Sequence, residues 1–213
     1  MKLIEHTIEG FYKELASESP APGGGSTAAV EASFGCGLIA MVSELTIRNK
    51  KFADETEKYQ KILEEAHRLG DQVQMTIDKD TDAFLVVSNA FSLPKETEEE
   101  KQIRKQKIQE GLKGCCYPPL ETMKISYEGL KLAAALIQKY NTNAASDLGS
   151  GVASLKAALH SAYLNVLINI GSIQDQAFVK EMEKEAEALY KEGTAIANSL
   201  FGIIADSLKT QAV

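Results

Sequence analysis

The chain has 213 residues, of which 44% are hydrophobic, so it is long enough to bury one sizeable core. Its formal net charge of −7 argues against a nucleic-acid partner and against an anionic membrane surface. The start of the chain has no apolar stretch of signal-peptide length, and the spacing of its three cysteines and three histidines fits no metal site. We therefore expect a single cytoplasmic domain over residues 1–213, with free thiols in a reducing compartment.

A short first helix after Thr7 is predicted to stop before a loop that reads Ser-Pro-Ala-Pro-Gly-Gly-Gly-Ser from position 19. Its glycines permit backbone conformations closed to other residues, and Ser26 is predicted to be the N-cap of the next helix. Free N–H groups and the positive end of the helix dipole meet there. Gly23, Gly24, Gly25 and Ser26 are thus a candidate binding loop for an electron-rich group. The alternative is a tight turn whose glycines only let two helices approach closely.

The second helix, from Ser26 to about Arg48, carries only Glu31 and Glu44 as charges before its end. A helix that is apolar nearly all round is predicted to be central and buried. Its length is marginal for a membrane span, and its two glutamates favour burial in protein instead.

Asp54 and Glu57 form a capping-box-like start for a third helix, whose apolar positions recur every three or four residues over 59–91. Asp80 occupies this apolar register, where a carboxylate is costly unless it is paired or hydrogen-bonded. It is a candidate functional residue, and the alternative is a structural buried hydrogen bond. Asp82 is predicted to face solvent.

A break at residues 92–94 precedes a fourth helix, which Thr97 and Glu100 begin as a second capping box. This basic helix is interpreted either as an exposed face or as a docking surface for a polyanionic tail. Its cations are Lys101, Arg104, Lys105, Lys107 and Lys113. Two prolines at 118–119 begin a fifth helix that is predicted to run to Tyr140.

A polar loop over 141–147 leads into a helix that is predicted to end near Ile170, with Ser146 or Asp147 as its cap. Asn165 and Asn169 lie one turn apart on it. They are interpreted either as structural hydrogen-bond clamps or as a pair that recognises the edge of a heterocycle. A long amphipathic helix over 174–208 follows. The sequence therefore predicts an all-α fold: a multi-helix bundle with two buried central helices and long antiparallel amphipathic helices.

Four segments, in this order and at this spacing, together resemble the cyclodeaminase and cyclohydrolase family of folate enzymes. They are the loop over 19–26, the aspartate-rich stretch over 78–84, Ser-Asp-Leu-Gly from position 146, and Asn-Val-Leu-Ile-Asn from position 165. The resemblance covers essentially the whole chain. It implies an all-helical homodimer that binds tetrahydrofolate derivatives and needs no metal or other cofactor.

The resemblance implies formiminotetrahydrofolate cyclodeaminase activity, which makes 5,10-methenyltetrahydrofolate and ammonia, or methenyltetrahydrofolate cyclohydrolase activity, which gives 10-formyltetrahydrofolate. Bifunctional members of that family carry a formiminotransferase region before this domain. Because only eighteen residues precede Ser19, we expect the chain to act alone or with a separate formiminotransferase. The competing hypothesis is a helical interaction module without catalytic activity.

The chemistry that the resemblance implies assigns a role to each candidate residue. Asp80 is expected to transfer protons, since partial burial raises a carboxyl pKa. Asp147 is expected to stay ionised at a helix start and to stabilise a cationic centre or hold the pterin. Lys50 or the basic helix is expected to meet the glutamate tail. Substrate contacts are expected from Gly23, Gly24, Gly25, Ser26, Lys50, Asn165 and Asn169.

Overall fold

The structure is a computed structural model that describes residues 2–211, so Met1 and the last two residues of the expected domain lie outside it. The described residues form seven α-helices and contain no strand. The helices are α1 (Ile8–Leu15), α2 (Gly24–Ile47), α3 (Thr56–Phe91), α4 (Glu98–Gly114), α5 (Tyr117–Leu136), α6 (Ala145–Ile170) and α7 (Gln176–Gln211). Short 3-10 segments occupy Leu3–Glu5, Lys50–Glu55 and Thr142–Ala144. The predicted all-α fold is confirmed.

Two central helices, α2 and α6, lie side by side and run in opposite directions. Gly35 of α2 meets Leu155 of α6 near mid-helix, and Gly24 at the start of α2 faces Asn165 near the end of α6. A Cβ on Gly35 would lie 2.6 Å from the Leu155 Cγ, so the close approach of the two helices depends on glycine. One face of each helix is buried in the core.

The long helices α3 and α7 pack against this central pair from either side. α3 runs antiparallel to α2, with Ile77 opposite Ser26 and Gly70 opposite Cys36. α7 runs antiparallel to α6 and brings Gly193 against Leu159. α5 fills the remaining side of the core between α3, α6 and α7. The long antiparallel amphipathic helices of the prediction are thus present.

The start of α2 differs from the prediction. The helix begins at Gly24, with Gly23 rather than Ser26 at the N-cap. Ser26 is fully buried in the first turn, where its hydroxyl donates a hydrogen bond to the Ile77 carbonyl oxygen at 2.9 Å. No glycine among residues 2–211 has a positive φ. Gly24 and Gly25 therefore provide space for close neighbours rather than an unusual backbone conformation.

The other helix boundaries were predicted with mixed success. The capping box of Thr97 and Glu100 is confirmed, with the Glu100 N–H donating to the Thr97 hydroxyl at 3.2 Å. The capping box at 54–57 was wrong, because a 3-10 segment runs directly into α3. Another 3-10 segment runs into α6, so Ser146 and Asp147 lie within its first turn instead of capping it. α5 ends at Leu136, four residues before the predicted end.

By length and composition, α2 is long and apolar enough to cross a membrane, and it is the one such helix found in residues 2–211. A buried helix at the centre of a bundle passes the same test. The inner face of α2 packs against α3 and α6, as expected for a core helix.

Two glycines of α2 provide a matched test of the packing between α2 and α6. Gly35→Ala should destabilise the fold by about 1–3 kcal/mol, because the added methyl group collides with Leu155. A Cβ on Gly37 would meet open space, so Gly37→Ala should be neutral or stabilising by up to about 1 kcal/mol. Urea unfolding followed by circular dichroism measures both changes. Equal unfolding midpoints for the two variants would contradict the described approach of the helices.

Candidate active site

The start of α2 opens into a cavity of about 420 Å³. This volume lies within the range of small-molecule sites, about 300–1,000 Å³. Its wall comes from the loop before α2, the first turn of α2, the second half of α3, the end of α4 with the α4–α5 junction, and the end of α6. The polar side chains of the wall are Asp80, Thr81, Asn165, Asn169 and Ser172, and the large apolar ones include Phe84, Phe91, Leu112 and Ile168.

The Asp80 carboxyl lies directly against the first turn of α2. A Cβ on Gly25 would be 2.2 Å from the Asp80 Oδ1, so a side chain at this position would displace the carboxyl. The Ser26 Oγ lies 3.2 Å from the Asp80 Oδ2, within hydrogen-bond distance. Gly23 has no side chain to cap the helix, and the Asp80 carboxyl of the neighbouring helix lies against this uncapped first turn.

Burial raises the pKa of Asp80 above its ordinary value. Hydrogen bonds from the side chain and backbone N–H of Ser26 oppose this rise but do not cancel it. Within the described chain, the cavity wall includes no lysine, arginine or histidine that would hold the carboxyl ionised. A carboxyl with a raised pKa in a cleft is suited to accepting and returning a proton.

Two amide side chains from α6 face the same cavity. The Asn165 Nδ2 donates to the Ser161 carbonyl oxygen at 2.8 Å, and the Asn169 Nδ2 donates to the Cys115 carbonyl oxygen at 2.7 Å. Each of these bonds uses one N–H group of an amide that has a second N–H group and an oxygen. The amides are therefore held in orientation and still have groups to offer a ligand.

The structure does not bring Asp147 or Lys50 to this cavity. Asp147 lies in the first turn of α6, so the helical rise places it about 27 Å along the axis from Asn165. Lys50 follows the C-terminal end of α2, whereas the glycines lie at its N-terminal end. Because α2 and α6 are antiparallel, the start of α2 meets the end of α6 and not its start. Within one chain, the expected contacts of Asp147 and Lys50 with a shared substrate are absent.

The other predicted substrate contacts fall into two groups. Gly23, Gly24 and Gly25 line the cavity together with Asn165 and Asn169. Ser26 is fully buried behind them and does not form part of the cavity wall. Its partners lie on α3, so within this chain its position differs from that expected of a substrate ligand.

Sequence reasoning missed the aromatic part of the wall. Phe84 and Phe91 were placed in the core by their register, but they are 39% and 54% exposed because α3 extends beyond the core. They share a helix face with Asp80, and this periodicity was the available signal. Cys115 also faces the site, where burial, with a smaller effect from Asp80, raises its thiol pKa to about 11. A thiol with this pKa stays neutral and is a poor nucleophile.

The basic helix α4 lies beside the cavity, but its cations do not line it. Arg104 donates to the Phe91 carbonyl oxygen at 3.1 Å, and Lys113 pairs with Asp175 at 2.7 Å. Outside the cavity, His160 packs against Tyr190 between α6 and α7. In residues 2–211 no three His, Cys, Asp or Glu side chains cluster as metal ligands.

Comparison with known proteins agrees with this architecture. The sequence model of the formiminotransferase-cyclodeaminase family matches residues 7–188. The chain is 40% identical over 195 residues to the methenyltetrahydrofolate cyclohydrolase of Methylorubrum extorquens, covering 92% of this chain and 94% of that protein. It is 30% identical over 200 residues to the formimidoyltransferase-cyclodeaminase of Mus musculus, covering 94% of this chain but only 37% of that protein.

The fold also matches a solved structure. A crystal structure of formiminotetrahydrofolate cyclodeaminase from Thermotoga maritima aligns with a TM-score of 0.87, covering 97% of this chain and 100% of that chain. At 24% sequence identity this likeness shows a common fold. Since the family match extends over most of the helical bundle and includes every residue that lines the cavity, the chain belongs to the formiminotransferase-cyclodeaminase family.

Proposed function

We propose that the chain is a folate one-carbon enzyme and that the cavity at the start of α2 binds a tetrahydrofolate derivative. The observation that carries this proposal is the placement of Asp80. Its part-buried carboxyl has a raised pKa and stands in a cavity walled by amides and aromatic rings. The name of the relative from Methylorubrum extorquens supports the substrate class, since methenyltetrahydrofolate is a tetrahydrofolate derivative.

The proposed reaction is cyclodeamination. The nitrogen of the aminobenzoate arm attacks the formimino carbon of 5-formiminotetrahydrofolate, and a five-membered ring closes through a tetrahedral intermediate. The formimino nitrogen enters protonated, as an amidinium. Asp80 accepts the proton of the attacking nitrogen and delivers it to the amino group of the intermediate, which leaves as ammonia, and the methenyl product keeps the positive charge. One group can perform both transfers because both nitrogens are bonded to the same carbon.

Methenyltetrahydrofolate cyclohydrolase activity is a second candidate, and a specific observation favours it. The relative from Methylorubrum extorquens, which carries that name, aligns over nearly its whole length. In this reaction water adds to the methenyl carbon and the ring opens to 10-formyltetrahydrofolate. Asp80 again serves as the proton acceptor and donor, so the same cavity suits both reactions.

The cavity wall supports one orientation of the substrate. Asn165 and Asn169 hydrogen-bond the pterin edge, and Phe84 and Phe91 contact its rings. The glutamate tail then extends past Phe91 toward the basic helix, where Arg104 is anchored to the Phe91 carbonyl oxygen. Asp147 and Lys50 have no part in this arrangement. A separate formiminotransferase as the source of the substrate stays a prediction.

Purified protein should change the near-ultraviolet absorption of methenyltetrahydrofolate in one of two reactions. If the protein is a cyclodeaminase, 5-formiminotetrahydrofolate will produce the band with release of ammonia. If it is a cyclohydrolase, the band of added methenyltetrahydrofolate will disappear. Each reaction is compared with an enzyme-free sample, since both compounds react spontaneously. No change beyond these samples, together with no folate binding, would favour the non-catalytic interaction module.

Asp80→Asn should lower kcat by about 10²- to 10⁴-fold, the usual contribution of a general acid–base group. The amide retains the shape of the carboxyl and an oxygen that can accept the bond from Ser26, so the fold should persist. Asp82→Asn is the matched control, because Asp82 is exposed on the same helix. Full turnover in Asp80→Asn would remove Asp80 from the mechanism.

Asn165→Ala, measured in the same assay, tests whether Asn165 binds the substrate without taking part in proton transfer. It should weaken substrate binding about tenfold, as expected for one lost hydrogen bond, and change kcat less. The reverse pattern, an unchanged KM with a large loss of kcat, would argue that Asn165 acts on the transition state instead.

We also propose that the chain forms a homodimer through the outer faces of α2 and α6. Phe34 and Met41 on α2 are exposed, as are Leu164 and Ile168 on α6. An apolar stripe that one chain leaves uncovered is typical of an interface. Sedimentation equilibrium should give twice the mass of one chain, and Phe34→Glu should lower it toward the monomer. A monomeric wild-type protein at micromolar concentration would rule out the dimer.

A further inference from the structure

The Ser26 hydroxyl lies at the centre of a small buried network beside the cavity. Three oxygens surround its Oγ: the Ile77 carbonyl oxygen at 2.9 Å, the Asp80 Oδ2 at 3.2 Å and the Thr81 Oγ1 at 3.3 Å. A serine hydroxyl has one hydrogen and two lone pairs, so it can donate to only one of these oxygens at a time. The oxygen to which Ser26 donates must therefore depend on whether each neighbouring oxygen bears a hydrogen.

Each protonation state of Asp80 satisfies this network in a different way. When Asp80 is ionised, Ser26 donates to the Asp80 Oδ2 and the Thr81 hydroxyl donates to the Ser26 Oγ. When Asp80 is protonated on Oδ2, it donates to the Ser26 Oγ, and Ser26 donates to the Ile77 carbonyl oxygen. That carbonyl keeps its intrahelical bond from the Thr81 N–H group in both states. Only hydroxyl hydrogens rotate, and no heavy atom has to move.

The heavy atoms of the network are held in place from all sides. The Asp80 carboxyl occupies the space beside Gly25, where a Cβ would be 2.2 Å from Oδ1. The nearby Ser26 backbone N–H favours the ionised form of the carboxyl. Ser26 itself has no exposed surface. We propose that Ser26 is a positioning residue whose hydroxyl reverses its hydrogen bond to hold Asp80 in both protonation states. This role in turnover rests on the proposed function, in which Asp80 transfers protons.

One other titratable group faces Asp80 among residues 2–211, and it does not titrate in the same range. The Cys115 thiol, at the α4–α5 junction, has a pKa raised to about 11 and stays neutral at lower pH. Asp78 accepts a hydrogen bond from the Leu3 N–H on another side of α3, and Lys79 pairs with Glu121. The first two turns of α2 have no titratable side chain, and α6 presents amides.

A direct titration of Asp80 tests this role without any folate. Protein labelled with ¹³C at the aspartate side-chain carboxyls gives one signal per aspartate, and Asp80→Asn identifies the signal of Asp80. In Ser26→Ala the ionised carboxyl loses a charge-assisted donor, whereas the protonated carboxyl loses only a neutral acceptor. Because the charge-assisted bond is the stronger of the two, the midpoint of the Asp80 titration should rise by about one pH unit. Thr81→Val, at a partly exposed position, should raise the midpoint less and covers the case in which Ser26→Ala does not fold.

Thr27→Val is the matched control for this titration. Thr27 lies in the same turn as Ser26, but its hydroxyl donates to the Gly23 carbonyl oxygen at 2.9 Å and not to the carboxyl. Its midpoint should equal that of the wild type. The proposal is overturned if Ser26→Ala and the wild type share one midpoint, or if Thr27→Val shifts it equally.

Kinetics then link the network to turnover. In Ser26→Ala, the limb of the kcat/KM profile that reports Asp80 should move to higher pH, whether Asp80 acts as acid or base, with KM nearly unchanged. An unmoved limb would overturn the catalytic part of the proposal. If the wild-type protein converts neither folate compound, the proposed function fails, and the titration still decides whether Ser26 holds the carboxyl.

Discussion

The structure depends on one contact, in which the Asp80 carboxyl meets the N-terminal turn of α2. That turn lacks a capping side chain of its own, and its N–H groups need an acceptor. Asp80 brings a carboxyl from α3 to the Ser26 hydroxyl in this turn, and Gly25 makes the approach possible because it has no side chain. The same contact fixes α2 against α3 and places an ionisable group at the edge of a cavity. The N-terminal turn of α2 and the part of α3 around Asp80 therefore contribute both to helix packing and to the candidate site.

The antiparallel arrangement of α2 and α6 decides which residues can act together. It brings the glycine loop to Asn165 at one end of the bundle and sends Asp147 to the other end. The aromatic side chains of α3 complete the wall because that helix is longer than the core it covers. A site thus forms where three helices end or extend beyond their neighbours, with side chains from α3 and α6 and glycine backbone from α2. The remaining length of α2 and α6 serves the core.

The sequence predicted most of the fold and part of the site, because both depend on helical periodicity. Asp80 was identified by its apolar register, and Asn165 and Asn169 by their spacing. Periodicity does not tell which helix ends meet, so it could not show that Asp147 and Lys50 lie away from the glycine loop within one chain. Nor does it tell where a core stops, so Phe84 was expected to be buried. The contact between the Ser26 hydroxyl and Asp80 was missed because the two residues lie on different helices, more than fifty residues apart in the sequence.

The raised pKa of Asp80 links proton uptake at the cavity to the stability of the whole bundle. Because the folded chain binds this proton more tightly than an unfolded chain does, protonation of Asp80 favours folding. That contribution is complete below the pKa of an unfolded aspartate and is lost as the pH rises through the higher pKa of the folded state. Above the pKa of the folded state, the ionised carboxyl is therefore retained at the expense of some stability. An aspartate in this position is better explained by what it does in the cavity than by what it adds to the fold.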